Sequence, residues 1–206
     1  PLSRRQRQMC IRDSSYPQSI RYLADKYNIE IIETELTDKQ KDQNNAKEKL
    51  FLICDFAKNY FLNQFNESHF GKTIARTYFD EREFNDETIK KFEIGSLGSE
   101  KYNLRDHCLS MGYNTDDLEA LGLISSKNQM DIYRSRLIFP IKSISGRTIG
   151  FGARILDNNK KSAKYINSPD SIIYNKSNVL FGLYNSKNEI VKKDESLTVD
   201  ETAGTS

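Results

Sequence analysis

At Ile132 the hydrophobic period of the chain changes from 3.6 residues to 2, and no single kind of element accommodates both periods. Upstream, Leu50, Phe51, Cys54, Ala57, Tyr60, Phe61 and Phe65 recur at helical intervals, which predicts a long amphipathic helix over 46–66. Downstream, Tyr133, Leu137, Phe139 and Ile141 fall on one side of an extended segment and Arg134 and Arg136 on the other. Ser145-Gly146 supplies a turn, and in the returning strand Arg147, Ile149, Phe151, Ala153 and Ile155 alternate with Gly150, Gly152 and Arg154. The expected fold class is therefore α+β, with helices from 46 to 121 followed by a mixed sheet built around the 132–156 hairpin.

The rest of the chain divides around this switch. Residues 1–14 are basic and aperiodic and are left out of the fold reading as non-native in character. Residues 15–45 read as a helix beginning near Pro17, a short extended piece at 29–32, and a polar linker. Residues 46–195 form the main domain. Within it, helices are expected around Ile74–Phe79, after the capping residue Asn85, over 101–111, over 115–121 from a Thr115 start, and near 183–192, with a strand over 93–97. Leu197 to Val199 is a short β-like run opening a divergent segment over 196–206.

Composition bears on function mainly by exclusion. At 37% hydrophobic and 29% charged residues the chain has core material enough to fold and no continuous apolar run long enough for a membrane. Cys10, Cys54 and Cys108, with His69 and His107, lack the paired short spacing of a zinc site, and their odd, scattered use fits a reducing cytoplasm. Adjacent on a helix, His107 and Cys108 point about 100° apart, which favours ordinary half-buried positions over a reactive pair. Charge is unevenly placed: Asp131 to Lys176 carries +6 although the whole chain is +2, the asymmetry of a localised anion-binding surface.

On the hairpin, Arg134, Arg136 and Arg154 are read as sharing a face with Gly150 and Gly152, a bare and positively charged floor. Two readings remain open: a phosphate approaching the backbone, or a tight crossing beneath a packed element. The loop from Lys164 to Pro169 adds a cation, an amide and a hydroxyl, and Tyr174 and Lys176 continue the pattern of aromatics among cations, with Tyr174 expected to be partly buried.

These residues carry a resemblance. YRSRLIFPIKSISGRTIGFGARI at 133–155, KYINSP at 164–169, NK at 175–176 and LFGLY at 180–184 resemble the signature stretch of bacterial DnaG-type DNA primases. YPQSIRYLADKYNIEI at 16–31 resembles the tail of that family's zinc-binding domain, and YFDEREFNDETIKKFEIG at 78–95 the start of its polymerase core. The resemblance implies a DNA-directed RNA polymerase that copies single-stranded DNA template into RNA primers from ribonucleoside triphosphates, partnered by the replicative helicase through a C-terminal region. It implies that Arg134, Arg136, Arg147, Arg154, Lys164, Asn167 and Lys176 contact template or nucleotide phosphates. It also implies Mg²⁺ or Mn²⁺ on the carboxylates of a Toprim-like domain and Zn²⁺ in the zinc-binding domain.

Two departures bear on activity. The family's zinc-ligand pairs are not among these residues, and Asp200-Glu201 stands where the first Toprim Glu-Gly is expected, without the glycine. Those two acids are read as surface carboxylates, and the chain is expected to bind single-stranded DNA weakly and salt-dependently without making primers itself. The rival reading is a non-catalytic single-stranded nucleic-acid-binding module, which an Asp-x-Asp strand downstream of Val199 in the gene would argue against.

Overall fold

Thirty residues without a glycine or proline, Asp38–Glu67, form helix α1. It begins inside the segment expected to be a linker, because that polar run is made of Lys, Gln, Glu, Asp, Asn and Ala, and a helix nucleated by packing propagates through such residues at little cost. The computed structural model describes residues 38–156 and 162–187, together with Ala24 and Tyr27. The expected helix start at Pro17, the extended piece at 29–32 and everything from 188 onward, including Leu197–Val199 and Asp200-Glu201, lie outside the described residues. Two compact units are delimited, Pro1–Asp42 and Gln43–Ser206, and the β-sheet lies entirely within the second.

After α1, a single π-helical turn at Gly71–Ala75 leads directly into α2, Arg76–Asp80. Helix α3, Asp86–Lys91, is capped as expected by Asn85, whose Oδ1 accepts the Thr88 N–H at 2.7 Å. Strand β1 is Gly95–Leu97, and α4 (Asn103–Ser110) and α5 (Thr115–Ala120) fill the connection to β2 (Arg136–Lys142). Asn114, not Thr115, caps α5, accepting the Asp117 N–H at 2.9 Å. Strands β3 (Thr148–Ile155) and β4 (Tyr165–Asn167) complete the sheet, and 183–187 is helical.

The sheet runs β1-β2-β3-β4 with every neighbouring pair antiparallel, so it is not the mixed sheet expected. Each connection returns the chain at the edge it left from, and no crossover is required to make a parallel pair. Helix α1 lays Ile53, Cys54, Ala57 and Phe61 against Ile138, Phe151 and Ala153. On the opposite face Leu137 meets Phe65, Phe79, Ile89 and Ile94. Each fully buried side chain of this size contributes about 1.5–3 kcal/mol through water exclusion, so the sheet is held from both sides.

Cys54 and Cys108 are both within this core, and burial pushes each thiol up to about 12. His107 turns outward to stack on Phe56 and Tyr60, with ring centroids at 5.3 and 4.9 Å. The two residues thus face apart, as their adjacency on a helix dictates, and make no nucleophilic pair.

The most consequential buried charge is Asp131. Its carboxylate accepts the N–H groups of Leu104 at 2.8 Å and Arg105 at 3.0 Å, serving the N-terminus of α4 where Tyr102 offers no side-chain cap. Burial raises its pKa from 3.8 to about 6, against the opposing pull of those two donors. A carboxyl whose folded pKa exceeds its unfolded one binds its proton more tightly when folded, so its stabilisation is complete below the unfolded value and is lost as pH rises through the folded one. Stability to urea is therefore expected to fall between about pH 4 and pH 7, and this component should vanish in Asp131→Asn, whatever that variant's absolute stability. An unchanged slope in the variant would place the titration elsewhere.

Candidate nucleic-acid interface

The pairing of β2 with β3 decides which side chains meet. Leu137 lies opposite Arg154, Phe139 opposite Gly152 and Ile141 opposite Gly150, whereas Arg136 lies opposite Ile155 and Ile138 opposite Ala153. Arg154 and the two glycines therefore share a face with Leu137, Phe139 and Ile141. Arg136 is on the other face, and the expected grouping of Arg134, Arg136 and Arg154 over the glycines does not form. Part of the reason is local: Ser135 has φ 56°, in the left-handed region, so Arg134 stands outside the pleat and the alternation restarts at Arg136.

The glycine floor is occupied mainly by the chain itself. A Cβ on Gly152 would come within 3.0 Å of Asn167 Oδ1, and one on Gly150 within 3.2 Å of Ser168 Cβ and 3.3 Å of Tyr174. Ser168 is buried, its Oγ accepting the Phe151 N–H at 3.0 Å and bonded to the Tyr133 hydroxyl at 3.0 Å. Pro169 then packs on Gly122, where φ is +66° and an added Cβ would meet the proline ring at 2.2 Å, so both the turn and the contact demand glycine. This ties the segment of Lys164 to Pro169 across the sheet. Tyr174 is buried beside it, as expected.

What remains open is a cavity of about 380 Å³ lined by Phe139, Gly152, Tyr165, Asn167, Lys176 and Phe181 among others. Tyr165 and Phe181 expose most of their rings. The Arg154 guanidinium stands 5.6 Å from the Tyr165 ring centroid and Lys164 Nζ stands 5.8 Å from it. Arg154 donates from Nη1 to the Tyr78 hydroxyl and lies over that ring as well, at 4.5 Å. Among the described residues, Arg154, Lys164 and Lys176 pair with no carboxylate; Asp170 instead accepts the backbone N–H of Lys176 at 2.8 Å.

The structure thus brings Arg154, Lys164, Asn167 and Lys176 together and sets the other three expected residues apart. Arg136 is buried and donates from Nη1 to the carbonyls of Ala163 at 3.0 Å and Lys164 at 3.5 Å, so it props up the start of β4, and burial lowers its pKa. Arg134 lies half-buried beside Met130, with Nη1 3.6 Å from the Met130 sulfur. Arg147 is gripped by both Glu48 oxygens at 2.6 and 2.8 Å and stacks on Phe51 at 3.7 Å; that pair raises the arginine's pKa and lowers the glutamate's. Tyr78, Tyr165 and Phe181 are not singled out as site residues by the sequence. For Tyr165 the adjacent Lys164 is a usable signal, whereas Tyr78 acquires its place only through the fold.

No group of three His, Cys, Asp or Glu side chains among the described residues is placed to hold a metal ion, and no helix among them is long and apolar enough to cross a membrane.

Residues 60–187 match the family model of the DNA primase catalytic core, N-terminal domain. The chain is 33% identical over 191 residues to a DNA primase of Mycolicibacterium smegmatis, an alignment covering 90% of this chain and 30% of that protein. Among solved structures it resembles the RNA polymerase domain of the Mycobacterium tuberculosis primase DnaG, with a TM-score of 0.65 at 33% identity over 71% of this chain and 48% of that one. It also resembles a DnaG primase catalytic domain bound to single-stranded DNA, with a TM-score of 0.63 at 29% identity over 71% of this chain and 47% of that one.

Replacing the prop in Arg136→Leu removes the donor to two carbonyls at the start of β4, and the expected cost is about 1–3 kcal/mol of unfolding free energy. Urea denaturation of both proteins measures it, and a loss under about 0.5 kcal/mol, the range of ordinary surface changes, would show that the carbonyl contacts contribute nothing.

Proposed function

Because the chain belongs to the family of the DNA primase catalytic core N-terminal domain, we propose that it supplies the strand-gripping surface of a primase, the enzyme that makes RNA primers on single-stranded DNA from ribonucleoside triphosphates during replication. The chain spans about a third of the curated relatives' length, so primer synthesis itself, use of Mg²⁺ or Mn²⁺ on Toprim carboxylates, a Zn²⁺-binding domain and contact with the replicative helicase are proposals for the protein as a whole. The expected opening of a Toprim-like domain at 196–206 belongs with them.

The observation that carries the reading is the set of cations that have no acid partner among the described residues, with Lys176 lining an aromatic cavity and Arg154 and Lys164 flanking its Tyr165 ring. Elsewhere many basic side chains are neutralised: Arg147 by Glu48, Lys58 and Lys142 by Glu93, Arg76 by Asp86. Cations held by rings rather than by carboxylates keep their charge for a polyanion, and exposed rings accept bases of any sequence. In this reading Arg154, Lys164 and Lys176 meet phosphates, Asn167 offers its amide at the cavity floor, and Tyr165 and Phe181 stack bases. Arg136 acts indirectly by placing Lys164, while Arg134 and Arg147 lie at the periphery and would meet phosphates only along a longer bound strand.

Binding of a fluorescent oligodeoxythymidylate, followed by anisotropy across a salt series, tests this. Three phosphate contacts predict a slope of log affinity against log salt of about −2, and Lys164→Ala or Lys176→Ala should each weaken binding and flatten that slope by about 0.7. Affinity and slope unaltered in both variants would remove the cavity from the proposed interface.

A further inference from the structure

The tip of the β2–β3 hairpin carries a side chain that turn chemistry does not explain. Gly146 donates its N–H to the Ser143 carbonyl at 2.9 Å, closing a turn whose central residues are Ile144 and Ser145. Such positions ordinarily take Gly, Pro, Asn, Asp or Ser, yet Ile144 stands there 71% exposed. It lines a separate cavity of about 430 Å³ together with Ile149, Ile172, Val179, Leu180 and Leu183. Ile172 and Leu180 are 59% and 65% exposed. Tyr174 and Val179 border the aromatic cavity as well, but this one offers exposed aliphatic groups where the other offers exposed rings.

Its walls are held in place. The Ser143 N–H donates to the Arg147 carbonyl at 2.9 Å, and Gly146, at φ +91°, lies so close to the Tyr184 ring that no Cβ would fit. Across the opening, Ser171 and Tyr174 exchange backbone hydrogen bonds at 2.8 and 3.2 Å, which projects Ile172 from a tight turn. Ser171 Oγ accepts the N–H groups of Ile173 at 3.3 Å and Tyr174 at 3.2 Å. An aliphatic slot fixed in this way gains by being covered and needs little ordering to be filled.

Charge selects the occupant. No Asp or Glu lines the cavity, and its hairpin wall and 171–175 turn belong to the segment that carries +6. At its edge Lys187 donates to the Ile144 carbonyl at 3.1 Å and lies 4.4 Å from the Tyr184 ring centroid, with no carboxylate partner among the described residues. Asn175 commits its Oδ1 to the Ser177 N–H at 3.0 Å, so the group it can offer is its Nδ2 donor. A nucleic acid would lay phosphates on isoleucines and find no exposed ring for its bases. A second copy, paired about a two-fold axis, would set this positive face against itself. A lipid surface calls for a protruding apolar face, not a concave one. An acidic segment with aliphatic side chains suits both the slot and its rim.

We propose that this cavity is a docking site for a partner protein, taking a short acidic segment. Its aliphatic side chains enter between Ile144, Ile172 and Leu180, and its carboxylates meet Lys187 and the Asn175 amide. The site uses none of the side chains assigned to the strand-binding surface and stands or falls apart from it.

Selection of random peptides of about twelve residues on the 206-residue chain, run in parallel on the double variant Ile144→Ser/Leu180→Ser, tests this. Peptides enriched on the unaltered chain alone should be acidic and rich in Leu, Ile or Val. Their consensus, labelled with fluorescein, should bind about tenfold more weakly to either single serine variant. Lys187→Gln should also weaken it and reduce its salt dependence. The serine variants should retain the urea stability and oligodeoxythymidylate affinity of the unaltered chain, which separates a lost contact from misfolding. Oligodeoxythymidylate should not displace the peptide. No enrichment, enrichment of neutral or basic peptides, equal enrichment on the double variant, or displacement by the oligonucleotide overturns the proposal. Vesicles of anionic phospholipid bound through Ile144, or dimers lost in Ile144→Ser, assign the face to a membrane or a second copy and overturn it as well. Loss of peptide binding in the full-length protein assigns the cavity to another part of the same polypeptide, with the same consequence.

Discussion

The antiparallel register that sets Leu137 opposite Arg154 governs most of what this molecule presents. Because side chains alternate strictly along a strand, that one pairing assigns every residue of the hairpin to a face. It delivers Ile138, Phe151 and Ala153 to α1 and Leu137 to the helices on the other side. The second face is only partly covered, since α2 and α3 reach Leu137 while Phe139 and Gly152 remain at a cavity wall. A shift by one residue would send Arg154 into the α1 interface and Phe151 to the open side. The hydrophobic core and the basic opening are therefore two consequences of one register.

Stability and charge placement are linked through the same geometry. Arg154 sits among apolar neighbours with its Nε buried and without an acceptor, a situation that costs about 1–3 kcal/mol. The ring and hydroxyl of Tyr78 offset part of this by holding the guanidinium in place. Glu93 shows the opposite solution: burial would raise its pKa, yet Lys142 and Lys58 more than compensate and hold it low. Charges whose partners are acids brace the fold; those whose partners are rings keep their field directed outward.

Features governed by neighbouring residues in the chain are legible in the sequence. The stripe of α1, the Asn85 cap, the glycine ends at Gly112 and Gly122, and the hairpin itself all follow from local spacing and turn chemistry. The face shared by Arg154 and the glycines is not, because each strand's alternation can be read alone but the register belongs to the pair. Ser135 compounds this, since nothing in its side chain announces a positive φ. The early start of α1 escapes for a related reason: polar helix formers read as linker until a packed segment extends into them. Of the seven expected site residues, Asn167 and Lys176 line one cavity and Arg154 and Lys164 flank the Tyr165 ring at its wall, and the motif at 164–169 accounts for two of these four.

Tyr78 and Arg82 mark the limit of such reading. The first sits on a short helix and the second just past its end, where periodicity signals only an amphipathic turn and the resemblance over 78–95 assigns neither a role, and the meaning of Tyr78 comes from Arg154, 76 residues away. A tyrosine over which two guanidiniums lie is a poor core residue but a good spacer between like charges. It holds Arg82, whose Nη1 also meets Glu81 Oε2 at 3.5 Å, and Arg154 over one ring in spite of their mutual repulsion. That repulsion is relieved by solvent when the site is empty and by an anion when it is filled. Lys164, Arg154 and Arg82 thus alternate with the rings of Tyr165 and Tyr78, a spacing that only the fold produces.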